Sequence, residues 1–426
     1  MTEADQPWPA PAAAGRLAAV VTLPGSKSQT NRALVLAALS ESPTRIGAPL
    51  IARDSRLMIS ALAALGVPVT EDGPDLLVQP APLRAGAVDC GLAGTVMRFV
   101  PPLAALAEGD SSFDGDPAAR LRPMGTLLEA LRQAGARITD DGTGRLPFTV
   151  HGAGGLGGGP VELDFSASSQ FVSALLLAGS RFDAGVDLRH VGLELPSLPH
   201  VQMTVAAVRA AGGTVDTLSD RHWRVSPGRL DLPDVVIEPD LSSAAPFLAA
   251  ALVTGGEVTV PHWPAETSQP GAVLPELLTR MGATATMDER GLTVLGSGSI
   301  GPLQADLHEA SELTPVIAAL CALADGECRI SGVAHIRGHE TDRLAALRSE
   351  LGALGAAVTE TADGLVIRPA ALRPGCWHAY ADHRMAQAGA VLGLAVAGLT
   401  VDDIGCTSKT LADFPGLWGA MLEQSS

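Results

Sequence analysis

Apolar helical runs that end in glycine recur along the chain, each followed by a β-branched segment, a polar turn and a second short strand. The runs close at Gly66 (ALAALG), Gly135 (LLEALRQAG), Gly212 (AAVRAAG), Gly282 (LLTRMG) and Gly355 (LRSELGALG), with landmarks 69 to 77 residues apart. Glycine just past a helix accepts the left-handed conformation that terminates it. The EDG, DDGTG and ADG stretches that follow read as hairpin turns. A further helix around Leu411–Met421 meets the chain end before its own strands appear. A period of this length marks a repeated supersecondary unit. Helices alternating with hairpins predict mixed sheets and an α/β or α+β class. Six units exceed one core, so two domains of three units are expected.

The 426 residues are 46% hydrophobic, with mean hydropathy +0.25, which excludes a disordered chain. Aromatics are only 3%, so the core must be built mostly from Ala, Val and Leu. The net charge of −17 argues against nucleic acid or an anionic membrane as a partner. An anionic small molecule remains open, because a cationic pocket can sit in an acidic protein. The stretch Met385–Val401 is short for a membrane span and reads as a buried helix running into a strand. Met1–Gly15 lacks the cationic start and apolar run of a signal peptide and, being rich in Pro and Ala, reads as part of a mobile tip. Cys90, Cys321, Cys328, Cys376 and Cys406 are odd in number and scattered, as expected of a reduced, cytoplasmic protein. Neither the cysteines nor the histidines have metal-ligand spacing, so no metal site is expected.

The informative polar residues precede apolar helices. They are Pro24–Arg32 (PGSKSQTNR), Cys90–Arg98 (CGLAGTVMR), Ser166–Gln170 (SASSQ), His339–Arg343 (HETDR) and Asp382–Arg384 (DHR). Helix starts favour anions, and Ser, Thr and Asp there are ordinary caps. Capping does not explain Lys27, Arg32, Arg98, Arg343 and Arg384, which oppose the helix dipole unless an anion is present. They point to a polyanionic ligand with phosphate and carboxylate groups. GSKS lacks the P-loop spacing and GLAGT lacks the dinucleotide fingerprint, so neither of those classes is supported.

PGSKSQTNR, GLAGTVMRF, GDPAARLRPM, SASSQF, HETDRL, YADHRMA and CTSKT occur in the order found in 5-enolpyruvylshikimate-3-phosphate synthases. From about Leu23 to Pro415 the chain resembles that family, and HIRGHETDRL and DDIGCTSKT resemble its actinobacterial branch. The resemblance implies a two-domain inside-out α/β barrel, three βαβαββ repeats per domain, with the active site in the interdomain cleft. The domains would be 1–22 with 238–426, and 23–237. The implied reaction joins shikimate 3-phosphate to phosphoenolpyruvate and releases phosphate in aromatic amino acid biosynthesis, without metal or organic cofactor. The partners would be these two small molecules alone, and the protein a cytoplasmic monomer.

Carried over motif by motif, Lys27 contacts both substrates. Ser28, Arg32, Ser168, Ser169, Gln170, Ser197, Glu312 and His339 hold shikimate 3-phosphate. Gly94, Arg122, Gln170, Arg343, Arg384 and Lys409 hold phosphoenolpyruvate. The catalytic residues implied are Glu312, which takes the proton of the 5-hydroxyl, Glu340, which protonates the methylene carbon, and Lys27. His200, His335, His339 and Leu92 stand where many members have Tyr, Asn, Lys and Asn. A pH dependence beyond that of lysine-bearing members is expected from His339. The alternatives are a UDP-N-acetylglucosamine enolpyruvyl transferase, which commonly has a reactive Cys in the loop reading DGDPAARLRPM here, and a non-catalytic anion-binding protein.

Overall fold

A computed structural model describes residues 6–192 and 194–424. The chain divides into two compact units, Gly25–Glu238 and Met1–Pro24 with Pro239–Ser426.

In Gly25–Glu238 three four-stranded sheets repeat one order. Ala87–Asp89 runs parallel to Glu108–Asp114, which pairs antiparallel with Phe148–Ala153, and Arg137–Thr139 forms the far edge. The third sheet repeats this with Gly159–Leu163, Val186–His190, His222–Val225 and Val215–Ser219. In the first sheet, the strand parallel to Thr44–Gly47 comes from the returning chain, Val235–Val236. The helices are α1 (Lys27–Leu39), α2 (Arg53–Ala64), α3 (Gly94–Leu106), α4 (Gly125–Gln133), α5 (Ser169–Gly179) and α6 (Leu198–Ala210). Each repeat is therefore β-α-β-α-β-β.

Beyond its polar start, the first helix of each repeat is apolar all round, and such stretches bury every face. Ala33–Leu39 of α1, Gly94–Ala105 of α3 and Phe171–Gly179 of α5 are buried accordingly. These three helices pack on one another. Their starts carry the polar motifs.

The other unit repeats the plan with α7 (Ala245–Thr254), α8 (Leu274–Arg280), α9 (Thr314–Ala322), α10 (Arg343–Ala353), α11 (His383–Gly393) and α12 (Phe414–Glu423). Here α7, α9 and α11 are the buried, mutually packed helices. Two sheets have four strands, and the last has three. The five landmark glycines all have left-handed φ, between 82° and 111°.

The N-terminal segment corrects the expectation of a mobile tip. Trp8–Pro9 pairs antiparallel with Thr400–Val401 and completes the sheet that the chain end leaves short. Ala10 N–H donates to Leu399 O at 3.0 Å and Ala13 N–H to Leu394 O at 3.1 Å. Ala18–Val20 runs parallel to Glu257–Thr259. Buried Ala10, Leu17 and Ala19 join the core, and that burial holds a Pro/Ala-rich segment in place. Residues 1–5 lie outside the described residues.

Candidate active site

In Gly25–Glu238 the starts of α1, α3 and α5 are tied together by side chains. Ser26 caps α1, and Lys27 Nζ lies 3.9 Å from the buried Asp54 carboxylate of α2. Asn31 Nδ2 donates to Thr95 Oγ1 at 2.8 Å, joining α1 to α3. Arg32 donates to Thr204 Oγ1 (2.7 Å), Ser173 Oγ (3.3 Å), His200 O (3.0 Å) and Ser28 O (2.9 Å). Its guanidinium thus bridges α1, α5 and α6, and burial lowers its pKa to about 9. Ser168 caps α5 through Gln170 N–H at 3.3 Å, and Ser169 is buried behind it. The Gln170 Oε1 atom is buried without a hydrogen-bond partner. Ser197, at the start of α6, adopts φ 53° and ψ 54° and does not cap through its side chain.

Gly94 begins α3. A Cβ there would lie 3.0 Å from Arg98 Nη1 and 3.2 Å from Arg122 Nη1. Glycine therefore leaves the free N–H end of a helix beside two guanidiniums. Nε and Nη1 of Arg122 are buried without hydrogen-bond partners. A buried, unsatisfied guanidinium is costly, and an anion relieves that cost.

The second cluster lies in the other unit and centres on Arg343, whose side chain is fully buried. Nε and Nη2 of Arg343 grip the Asp382 carboxylate at 2.7 and 3.1 Å. Nη2 lies 3.2 Å from Glu340 Oε2 and Nη1 3.4 Å from Glu312 Oε2. Arg384 Nε lies 3.5 Å from the same Glu312 oxygen, and its Nη1 donates to Ser242 O at 2.8 Å. Lys409 Nζ is paired with Glu340 Oε1. Three cations thus face three carboxylates. The anions that the helix-start cations require are supplied here largely by Asp382, Glu312 and Glu340.

Electrostatics follow from the packing. Burial disfavours ionised Glu312, but Arg343, His339 and Arg384 outweigh it and hold its carboxyl well below the usual range. Burial likewise opposes the Arg343 charge, yet Asp382, Glu312 and Glu340 raise its pKa. Burial, then Arg343, lowers the pKa of His339. His335 is pushed down to about 4 by burial and by His339 and His308. His335 Nε2 meets Ser311 Oγ at 2.8 Å, beside Glu312.

The predicted residues thus form two clusters, one in each unit. Lys27, Ser28, Arg32, Gly94, Arg122, Ser168, Ser169, Gln170 and Ser197 belong to one, and Glu312, His339, Glu340, Arg343, Arg384 and Lys409 to the other. Sequence reasoning counted Arg98 among the helix-start cations without assigning it to a substrate, and gave no role to Asp54, Ser173, Thr204 or Asp382. For Arg98 and Asp382 the signal existed, because both sit inside the quoted motifs. Among the described residues no group of three or more His, Cys, Asp or Glu is arranged to hold a metal ion. None of the described helices is long and apolar enough to cross a membrane.

The sequence model of EPSP synthase (3-phosphoshikimate 1-carboxyvinyltransferase) matches residues 11–418. The chain belongs to the EPSP synthase family. It is 53% identical over 431 positions to a 3-phosphoshikimate 1-carboxyvinyltransferase of Kocuria rhizophila, covering 98% of this chain and 97% of that one. It is 52% identical over 429 positions to that of Mycobacterium ulcerans, covering 99% of each. Among solved structures, an EPSP synthase from Acinetobacter baumannii superposes with TM-score 0.81 at 23% identity, covering 97% of each chain. The enolpyruvyl transferase NikO from Streptomyces tendae gives 0.75 at 19%, covering 96% of each. At these identities the structural likenesses establish the fold of the EPSP synthase family and nothing finer.

Proposed function

We infer that this chain transfers the enolpyruvyl group of phosphoenolpyruvate to the 5-hydroxyl of shikimate 3-phosphate and releases phosphate, as a cytoplasmic monomer. The observation that carries the chemistry is the convergence of Glu312 and Glu340 on one buried guanidinium, Arg343. Two carboxylates with different surroundings can divide proton removal and proton donation. Glu312, held ionised, suits removal of the 5-hydroxyl proton. That oxygen adds to C2 of phosphoenolpyruvate while Glu340 delivers a proton to C3. In the second step the C2–O bond to phosphate breaks and the new methyl group returns a proton to Glu340. Beside Lys409 and Arg343 the Glu340 carboxylate is stabilised as the anion, so its acid role depends on the negative charge the substrates bring.

Binding divides by unit. The unsatisfied Arg122 guanidinium beside the α3 start, with Gly94 kept bare, fits a phosphate group. Arg343, Arg384 and Lys409 are assigned to the remaining anionic groups of phosphoenolpyruvate, and Lys27 and Gln170 to both substrates. Ser28, Arg32, Ser168, Ser169, Ser197, Glu312 and His339 are assigned to shikimate 3-phosphate. Arg32, with its donors engaged inside the protein, would act through the helix starts it holds together as well as by its charge. A phosphate-release assay tests the reading. Release is expected with both substrates together and not with either alone, nor when UDP-N-acetylglucosamine replaces the shikimate. Absence of release with the full pair would overturn it.

A further inference from the structure

Residues 378–382 join the strand Cys376–Trp377 to α11 and end in Asp382, which grips Arg343 and caps Arg384 N–H at 2.8 Å. Two consecutive non-glycine residues here, Tyr380 (φ 55°) and Ala381 (φ 53°), are left-handed. In that conformation Cβ crowds the following carbonyl, so the surroundings must hold the turn in place. The hold is visible. Glu350, 3% exposed on α10, accepts from Tyr380 O–H at 2.6 Å and from His378 N–H at 3.0 Å. Asp402 accepts from Ala379 N–H at 2.8 Å and meets His378 Nδ1 at 2.8 Å. The Trp377 indole donates to Met385 O at 2.8 Å. Glu350 lies two turns along the same helix that begins with Arg343, so the contacts close a ring. Arg343 holds Asp382, Asp382 ends the strained turn, and the turn is tied back through Tyr380 to the helix of Arg343.

We propose that Glu350 is a positioning residue that clamps the strained 378–382 turn, so that Asp382 and Arg384 meet Arg343 in the geometry used for substrate. The proposal rests on the functional reading above only in taking Arg343 and Arg384 as substrate-binding groups. A carboxylate buried against a turn explains why Tyr380 and Ala381 remain left-handed without glycine.

Tyr380 is the only tyrosine of the chain, so tyrosinate absorbance reports this turn alone. Its bond to Glu350 raises its pKa above that of an ordinary tyrosine. In Glu350→Met the midpoint should fall toward the ordinary value, and kcat/KM for phosphoenolpyruvate should drop about 10- to 100-fold, as for a lost charged hydrogen bond, mostly through KM. Adding Ala381→Gly should restore several-fold of that loss, because glycine enters the left-handed region freely. Wild-type kcat/KM in folded Glu350→Met, or no recovery in the double variant, overturns the clamp. Should Glu350→Met fail to fold by circular dichroism, Tyr380→Phe decides. A several-fold loss of kcat/KM that Ala381→Gly repairs supports the clamp, and unchanged kinetics refute it. Failure of the functional reading looks different: the wild type then releases no phosphate, while the tyrosine titration of Glu350→Met still tests the clamp.

Discussion

Arginine offers no hydrogen-bond acceptor, so the 3.0 Å contact between Arg343 Nη1 and His339 Nδ1 identifies Nδ1 as the bare nitrogen and puts the ring proton on Nε2. With Nδ1 bare the ring is neutral, and it donates through Nε2. Burial and Arg343 lower its pKa, while Glu312, Glu340 and Asp382 pull the other way, and the His335 ring stands 6.1 Å off. Protonating Nδ1 would turn a second donor against Arg343. We therefore expect kcat/KM to fall as pH drops below the ordinary histidine value of 6.5. His339→Gln, a donor that does not titrate, should lose that acid limb whatever its plateau. An identical limb in the variant would assign it to another group. Glu340→Ala should lower kcat by about 10²–10⁴-fold, the usual span for a general acid or base, read as single-turnover phosphate release. Normal turnover would remove Glu340 from the mechanism.

At the scale of elements, the bare start of α3 sets the space left beside two guanidiniums. Gly94→Ala puts a methyl group 3.0–3.4 Å from the Arg98 and Arg122 guanidiniums. Those side-chain ends can shift, so the fold should survive. The anion geometry should not. We expect KM for phosphoenolpyruvate to rise roughly tenfold, equivalent to about 1.4 kcal/mol, with a smaller change in kcat. An unchanged KM would place the phosphate elsewhere. The N-terminal strand gives a stability test. Trp8→Ala strips a half-buried aromatic from a two-residue edge strand, and about 1–3 kcal/mol of unfolding free energy should be lost. Chemical denaturation would show it, and no change would mean that the strand adds nothing. The helices and hairpins were legible because glycine stops and turn residues are local signals. The N-terminal strand was not, because two residues carry no alternation and the partner strand, Thr400–Val401, lies almost four hundred positions away. Separation along the chain also hid the Asp382–Arg343 grip, which joins residues 39 apart.

Over the whole molecule, one repeat used six times makes the fold class readable from the glycine period, while the pairing of charges depends on which repeats pack together. The two clusters differ in a way no motif announced. The Arg343 cluster balances its own charges, whereas Arg122 keeps buried N–H groups unsatisfied. The balanced cluster also governs response to acid. His335 has a folded pKa near 4 against 6.5 when free. Between those values the unfolded chain binds more protons than the folded one, so stability falls as pH falls through that window. Glu312, depressed below the usual 4.5, adds stability that is present above that value and is lost at still lower pH. The His335 part alone is at most about 3 kcal/mol. Thermal midpoints measured from pH 7 to pH 4 should therefore drop in the wild type and drop less in His335→Gln. Taking the difference between the two removes the contribution of surface acids such as Asp114 and Asp288, which titrate alike in both. Parallel curves would show that the buried histidine beside Ser311 and Glu312 accepts its proton as readily folded as unfolded.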